Sequence, residues 1–219
     1  DIFKMYNNFF KRFLDICIGV LALPFMIIVT VIIAPFIYFN DKGPIFYNAL
    51  RLGKNGKPFK MYKFRSMKVN APDIRNKDGS TYNGDDDPRV TKVGRFMRKT
   101  SIDEIPQLLN VLLGNMSLIG PRPDPLDDME IYTDYQKKKL SVKPGITGYN
   151  QAYYRNSVEQ NEKFEHDVFY ANHISFILDA KIFFKTISTV LSHNSVYNDA
   201  TSLSDEEMKK VERMRNNNG

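Results

Sequence analysis

The chain has 219 residues and a formal net charge of +6 at pH 7. This length allows one globular domain with an additional membrane element, and the positive charge favours anionic partners such as phosphate groups or acidic lipid headgroups. A single cysteine, Cys17, excludes an intrachain disulfide framework and a thiolate metal site, and the three histidines lack the i,i+4 spacing of a zinc-binding helix.

The first predicted element is an apolar helix within residues 13–39, FLDICIGVLALPFMIIVTVIIAPFIYF, in which Asp15 is the only formal charge. A run of this length matches the hydrocarbon core of a bilayer and exceeds the usual length of a buried core helix. It is also too long for the apolar part of a signal peptide and has no small-residue cleavage motif. We therefore expect this helix to associate with a membrane. Nucleic-acid binding would explain the positive charge but not this run, so no nucleic-acid partner is expected.

Basic residues flank the apolar run on both sides. They precede it at Lys4, Lys11 and Arg12, and follow it at Lys42, Arg51, Lys54, Lys57, Lys60 and Lys63. The positive-inside rule then places both ends on the cytoplasmic side, which one straight span cannot satisfy. Pro24 removes a backbone donor near the middle of the run and predicts a kink. We expect a re-entrant helix that bends at Pro24 and returns to the same face.

The next residues predict a β-hairpin around GKNGKP, with Gly53 and Asn55-Gly56 in the turn. A long polar loop over residues 70–89 follows, and its acidic run at 85–87 is a potential set of metal ligands, although such runs are usually solvated. A helix starts at Thr91 and breaks at residues 100–101, and helical periodicity resumes through residues 108–113.

Two adjacent carboxylates, Asp103 and Glu104, lie between these helical segments. The pattern from Ser101 to Glu104 matches a capping box, in which Ser101 caps a helix and Glu104 binds back to its amide. A catalytic pair is the alternative. Arg98 precedes the pair, and Arg122 stands in a stiff segment between two prolines. Carboxylates, a divalent cation and arginines suit a pyrophosphate, and the spacing leaves both interpretations open.

The C-terminal half predicts a helix over residues 127–140 and an amphipathic helix in HISFILDAKIFFKTISTVLSH. The amphipathic helix is expected either at the bilayer interface or on the domain core. The predicted fold class is α+β and mostly helical, with a compact helical domain after the membrane helix. The predicted divisions are a re-entrant membrane helix over residues 1–40, a cytosolic domain over 41–198 that contains the candidate catalytic pair, and a polar C-terminal tail over 199–219.

Several long motifs occur in one order: KRFLDI before the apolar run, YKFRSM, DPRVTKVGRFMRKTSIDEIPQLLNVLLGNMSLIGPRP, and KPGITGYNQ followed by Arg155-Asn156. Together they resemble the bacterial sugar transferase family, the small monotopic phosphoglycosyl transferases, from about residue 10 to about residue 191. Several long motifs in the same order identify the family much more specifically than any single motif does.

The resemblance implies an enzyme that transfers a sugar 1-phosphate from a UDP-sugar to polyprenyl phosphate, releases UMP and uses Mg²⁺. Asp103 and Glu104 would form the catalytic dyad and hold the metal, with Asp103 attacking the sugar-bearing phosphate to give a covalent intermediate. The residues expected to bind substrate are Lys63, Arg98, Pro121, Arg122, Pro123 and Arg155.

The resemblance also implies a location on the cytoplasmic face of the bacterial inner membrane, in contact with lipid, and allows a homodimer. Arg12, Asp15 and Pro24 would anchor the re-entrant helix. Two positions depart from the family pattern: Leu23 stands where serine often precedes the kink proline, and Tyr154 stands where glycine precedes Arg-Asn. Sugar identity is therefore left open.

Two other functions fit part of the pattern. One is a membrane-anchored binding module for anionic lipid or polymer, in which the carboxylates only cap a helix. The other is a metal-dependent pyrophosphatase, which would release UMP and free sugar phosphate without polyprenyl phosphate. Two requirements distinguish the transferase from these alternatives. Its release of UMP depends on the acceptor, and it depends on Asp103.

Overall fold

Helices predominate in this fold, and the sheets are small. The computed structural model describes residues 6–154, 157–191 and 203–216. A π-helical turn, Tyr6–Phe10, leads into the first of the α-helices: α1 Lys11–Asp41, α2 Lys92–Thr100, α3 Gln107–Leu113, α4 Asp128–Ile131, α5 Tyr149–Tyr153, α6 Gln160–Asn172, α7 Phe176–Leu191 and α8 Asp205–Asn216. The strands are β1 Ala49–Leu52, β2 Pro58–Met61, β3 Ser117–Ile119 and β4 Gly145–Thr147. The predicted α+β, mostly helical class is confirmed.

Helix α1 is the long apolar element that the sequence predicted. Over 31 residues it reaches about 46 Å at 1.5 Å per residue, and within the described residues it is the helix long and apolar enough to cross a membrane. The helix continues through Pro24 and Pro35 and ends at Lys42, whose amide bonds the Tyr38 carbonyl. The re-entrant bend at Pro24 stays a prediction.

One face of α1 packs on the domain along most of its length. Near the start, Gly19 lies against Leu112 of α3, where an added Cβ would come within 2.8 Å of a leucine methyl. Farther along, Ile33 and Ile37 are buried with Phe64 and Met97 in one apolar cluster, with Met97 contributed by α2. The remaining faces expose large apolar side chains, including Leu21, Val31 and Phe39. Both ends of α1 are therefore held by the same domain.

Strands β1 and β2 form the predicted antiparallel hairpin, with Leu50 opposite Lys60. Asn55 and Gly56 both have positive φ, as the turn prediction requires. A second sheet, in which β3 pairs in parallel with β4, was not predicted. Each of these strands has only three residues and lies next to glycine or proline. The sequence is therefore too short here to show the alternation of apolar and polar residues that predicts a strand.

The predicted helix over residues 127–140 was only partly right. The structure has the single turn α4 and then a 3₁₀ segment, Gln136–Ser141. Tyr132 takes an extended conformation between them, and Thr133 and Gln136 bond each other's backbone amides through their side chains. These local bonds stop the helix where periodicity alone would have continued it.

Helices α6 and α7 complete the core on the side of the second sheet. Ile182 of α7 is buried against Ile119, Ala152 and Tyr170. The opposite face of α7 leaves large apolar side chains exposed, and these are Phe176, Ile177, Phe183, Phe184, Ile187 and Leu191. The amphipathic helix thus packs on the core and still presents an apolar surface outward.

Candidate active site

The turn that carries Asp103 and Glu104 does not form a capping box. Ser101 adopts the left-handed conformation (φ 57°) and ends α2, and its amide bonds the Arg98 carbonyl. Residues Ile102–Glu104 make one 3₁₀ turn in which Ser101 provides no side-chain cap, and α3 starts only after Pro106. The capping interpretation is therefore wrong, because α3 begins at Gln107, five residues beyond the start that the box requires, with Pro106 at its N-terminal end.

Both carboxylates face cations brought from distant segments. Asp103 is 2 % exposed, and its Oδ2 lies 2.8 Å from Lys63 Nζ. The same ammonium is 3.5 Å from Glu104 Oε1, and Arg122 Nη2 is 3.1 Å from that oxygen. The Asp103 carbonyl accepts a hydrogen bond from the Phe64 amide, so the segment after β2 is tied to the turn. The structure thus brings together Lys63, Asp103, Glu104 and Arg122, four of the candidate site residues.

The environments of the two acids differ. Burial raises the pKa of Asp103, and the attraction of Lys63 offsets only part of that effect. Burial also acts to raise the pKa of Glu104, but Arg122 and Lys63 outweigh it and lower this pKa below its ordinary value. Two adjacent carboxyls with pKa values pushed apart are suited to different roles. Asp103 is the more basic group, and Glu104 is the more firmly ionised one.

Arg98 is held near this pair by two side chains that sequence reasoning missed. Its Nε donates to Ser66 Oγ at 3.0 Å, and its Nη1 donates to Asn83 Oδ1 at 2.9 Å. Its positive charge also helps to lower the pKa of Asp103. Ser66 belongs to the YKFRSM motif, but nothing in the sequence pairs Asn83, in the polar loop, with a helix residue.

The segment that carries Arg122 is fixed through its backbone. The Pro121 carbonyl accepts from the Gly145 amide at 2.9 Å, and the Asp124 carbonyl accepts from the Leu52 amide at 2.9 Å. Pro121 and Pro123 restrict the chain on either side of the arginine. A Cβ on Gly145 would overlap the backbone of Gly120, so this close approach requires glycine.

A buried ionic cluster supports the same segment and was not predicted. Lys139 lies between Asp124 and Asp167, and its Nζ is 2.5 Å from Asp167 Oδ2. The Tyr132 hydroxyl donates to Asp124 at 2.5 Å. Asp167 Oδ1 is buried without a hydrogen-bond partner, and burial raises the pKa of Asp167 to about 6 despite the opposing charge of Lys139. Lys139 is the one cation paired with both Asp124 and Asp167 among the contacts described, so this cluster has more acidic than basic groups.

The dyad offers two carboxylates to a metal ion. Within the described parts of the chain, no group of three or more His, Cys, Asp or Glu side chains forms a metal site. Mg²⁺ commonly uses one or two protein carboxylates and takes its other ligands from substrate phosphates and water. Asp103 and Glu104 fit that pattern. The acidic run does not: Asp85 lies 3.9 Å from Lys99, Asp86 pairs with Arg215, and Asp87 is buried against Arg89.

Arg12 and Asp15 contact the domain. Arg12 donates to the Val111 carbonyl at 2.5 Å and to the Leu112 carbonyl at 2.9 Å, which satisfies the C-terminal end of α3. Asp15 Oδ1 accepts from the Leu118 amide at 3.0 Å and from Ser117 Oγ at 3.1 Å. The predicted role at the lipid headgroups stays a prediction, as does that of Pro24. Arg155 lies outside the described residues.

Comparison with known proteins agrees with the motifs. The profile of the bacterial sugar transferases matches residues 6–193. A galactosyl transferase from Streptococcus agalactiae is 44 % identical over 198 residues, covering 86 % of this chain and 44 % of the relative. An uncharacterized sugar transferase from Bacillus subtilis is 41 % identical over 181 residues, covering 83 % and 87 %.

A UDP-glucose:undecaprenyl-phosphate glucose-1-phosphate transferase from Klebsiella pneumoniae is 39 % identical over 199 residues, covering 87 % of this chain and 42 % of the relative. The chain thus spans less than half the length of two of these relatives and most of the third. The match nevertheless includes the dyad, both arginines and the first helix. The chain belongs to the bacterial sugar transferase family.

Proposed function

We propose that this protein transfers a sugar 1-phosphate from a UDP-sugar to a polyprenyl phosphate and releases UMP, at the cytoplasmic face of a bacterial inner membrane. The product would start the assembly of a membrane-linked glycan. The observation that carries the proposal is the buried Asp103, with its raised pKa, held by Lys63 beside the ionised pair of Glu104 and Arg122. A basic carboxylate among cations suits nucleophilic attack on a phosphate.

In the first step an oxygen of Asp103 bonds to the sugar-bearing phosphorus, and the bond from that phosphorus to the UMP oxygen breaks with its electron pair. In the second step an oxygen of polyprenyl phosphate bonds to the same phosphorus, and the bond to Asp103 breaks. Arg98 and Arg122 bind the donor diphosphate, and Glu104 orients the reacting groups. Lys63 moves from Asp103 toward phosphate as the reaction begins. Bound Mg²⁺ would neutralise charge on the diphosphate.

The packing of α1 supports a site at the membrane surface. Because the domain holds both ends of α1, a straight span that separates them is hard to reconcile with these contacts. An apolar cleft of about 200 Å³ lies between α1 and α3 and is lined in part by Met26, Thr30, Pro106 and Leu109. Pro106 is two residues from Glu104, so an isoprenoid chain in this cleft would place its phosphate near the dyad. The exposed apolar face of α7 would rest on lipid.

The test is UMP release from a panel of UDP-sugars by protein in nanodiscs, with and without undecaprenyl phosphate and Mg²⁺. Asp103→Asn is expected to lose at least about a hundredfold in rate, as the removal of a nucleophile requires. Asp134→Asn is the matched control, because the Asp134 carboxyl is almost fully exposed and pairs only with Lys137 among the contacts described. Without acceptor, the wild type should gain the mass of one sugar phosphate on a peptide containing Asp103.

Each alternative gives a different result in the same assay. Steady release of free sugar phosphate without acceptor would indicate a pyrophosphatase. Binding of vesicles without UMP release from any donor would indicate a binding module. Full activity of Asp103→Asn would contradict the proposed nucleophile.

A further inference from the structure

Helix α8 lies beyond residue 193, where the family match ends, yet it packs on the polar loop that precedes α2. Leu203, just before it, and Val211 within it are buried with Ile74 and Tyr82 in one apolar cluster. Near the end of the helix, Arg215 Nη2 lies 2.6 Å from Asp86 Oδ2. The helix therefore contacts the polar loop of residues 74–89 at several points.

The same loop also contacts the side chain of Arg98. The Tyr82 amide bonds the Ile74 carbonyl at 2.9 Å, and the Tyr82 carbonyl accepts from Arg89 at 2.9 Å. The next residue, Asn83, accepts the hydrogen bond from Arg98 Nη1. Since Ser66 accepts from Arg98 Nε, the two acceptors together fix the plane of the guanidinium. The position of Tyr82 thus determines where Asn83 meets Arg98.

The loop has little regular structure of its own. Between residues 74 and 89 the backbone forms only the isolated bridge Arg75↔Thr81 and scattered turns. Ordering such a segment has an entropic cost that buried contacts must offset. The ring of Tyr82 provides such contacts, and two of the three other residues buried with it, Leu203 and Val211, come from the segment of α8.

We propose that α8 is a positioning element for the donor site: by burying Leu203 and Val211 against Tyr82, it holds Asn83 where that side chain orients Arg98 beside the dyad. This inference rests on the function proposed above, in which Arg98 binds the donor diphosphate. Displacing α8 then weakens donor binding while Lys63, Asp103 and Glu104 keep their contacts. The expected signature is a raised KM for the UDP-sugar with kcat unchanged.

The test uses the full chain with Val211→Asp, which puts a charge into the apolar cluster. We expect the KM for the UDP-sugar to rise about tenfold, the effect of weakening a hydrogen bond to a charged group. Met208→Asp is the matched control, because it makes a similar change on an exposed position of the same helix. Asn83→Ala should raise KM to the same extent, and the double variant should be no worse than Asn83→Ala, since both act through one contact.

Hydrogen exchange of the same variants provides a readout without turnover. Peptides from residues 74–89 should exchange faster in Val211→Asp than in Met208→Asp, while peptides from β2 stay protected. Unchanged loop exchange, unchanged KM, or additive effects of Val211→Asp and Asn83→Ala would each overturn the inference. A wild type that releases no UMP from any donor would overturn the proposed function instead, and exchange would then decide whether α8 holds the loop.

Discussion

At the scale of single residues, burial of Asp103 is tolerated because Lys63 accompanies it. A carboxylate removed from water is costly unless a cation compensates its charge. The ammonium lies 2.8 Å from Asp103 and 3.5 Å from Glu104, so Lys63 compensates Asp103 and shares the compensation of Glu104 with Arg122. In the proposed reaction this arrangement would keep a basic carboxylate available for attack without leaving its charge uncompensated in the interior.

The first prediction concerns Lys63→Met. Removing the ammonium leaves Asp103 buried and uncompensated, so the free energy of unfolding should fall by about 2 kcal/mol and UMP release should be lost. Adding Asp103→Asn should restore most of the stability, because a neutral amide needs no ionic partner, but it should not restore activity. Thermal unfolding of the wild type and the two variants in one detergent measures this. Equal stability of Lys63→Met and wild type would show that the pair does not compensate burial.

The second prediction concerns the pH dependence contributed by Asp167. Its pKa is about 6 in the folded protein against 3.8 for an ordinary aspartate, so the folded state binds this proton more tightly than the unfolded state. Its contribution to stability is therefore fully present below about pH 4 and is lost as pH rises through 6, by at most about 3 kcal/mol.

Asp167→Asn should flatten this part of the stability profile, measured as melting temperature between about pH 4 and pH 7. Asp128 provides a comparison, since burial and the neighbouring acids Asp124 and Asp127 raise its pKa to about 6 as well. Protonated Asp128 therefore also stabilises the fold at low pH. Asp128→Asn should remove a separate part of the decrease in melting temperature as pH rises. An unaltered slope in Asp167→Asn would contradict the assignment.

At the scale of elements, α1 and α3 are joined by a close packing contact and by hydrogen bonds. Gly19 permits the close contact with Leu112, and Arg12 binds the last carbonyls of α3, the helix that starts just after the dyad. A change in how α1 packs should therefore be felt at Asp103 and Glu104.

The third prediction is that Gly19→Phe lowers acceptor-dependent UMP release at least about tenfold and destabilises the protein by about 1–3 kcal/mol, since the ring overpacks against Leu112. Leu21→Phe introduces the same ring two residues away, where the native side chain is 79 % exposed. That control should behave like the wild type. If both variants behave alike, the contact between α1 and α3 has no special role in the reaction.

At the scale of the whole molecule, the packing of α1 bears on which side of a membrane its two ends would lie. Asp41 at one end binds Arg65, and Arg12 at the other binds α3. A helix held at both ends by one domain lies along that domain. In the monotopic arrangement proposed above, the apolar side chains on its outer faces would enter the bilayer from one side.

The fourth prediction is that single cysteines placed at Asn7 and Asn40, in a Cys17→Ser background, both react with a membrane-impermeant maleimide from the cytoplasmic side only. Inverted vesicles expose the cytoplasmic face to the maleimide, and intact spheroplasts expose the opposite face. Labelling of the two positions from opposite sides would show a spanning helix and would contradict the monotopic arrangement. A cysteine in place of exposed Asp134 marks the side of the domain.

The sequence by itself determined the features that depend on neighbouring residues. The apolar run and its flanking charges predicted α1, Asn55-Gly56 predicted the hairpin turn, and the helix break at residues 100–101 was placed correctly. The resemblance of its motifs also indicated the dyad. The sequence could predict these features because hydrophobic periodicity and turn conformation depend on residues only a few positions apart.

Only the tertiary structure decided the rest, because it depends on segments that meet across long stretches of chain. It excluded the capping box at Ser101, and it placed Lys63, about 40 residues earlier, on both carboxylates. It also paired Lys139 with two distant acids and placed α8 against the loop of Asn83. Charge pairs of this kind leave no local periodicity, since their energy comes from burial and distance in the folded chain.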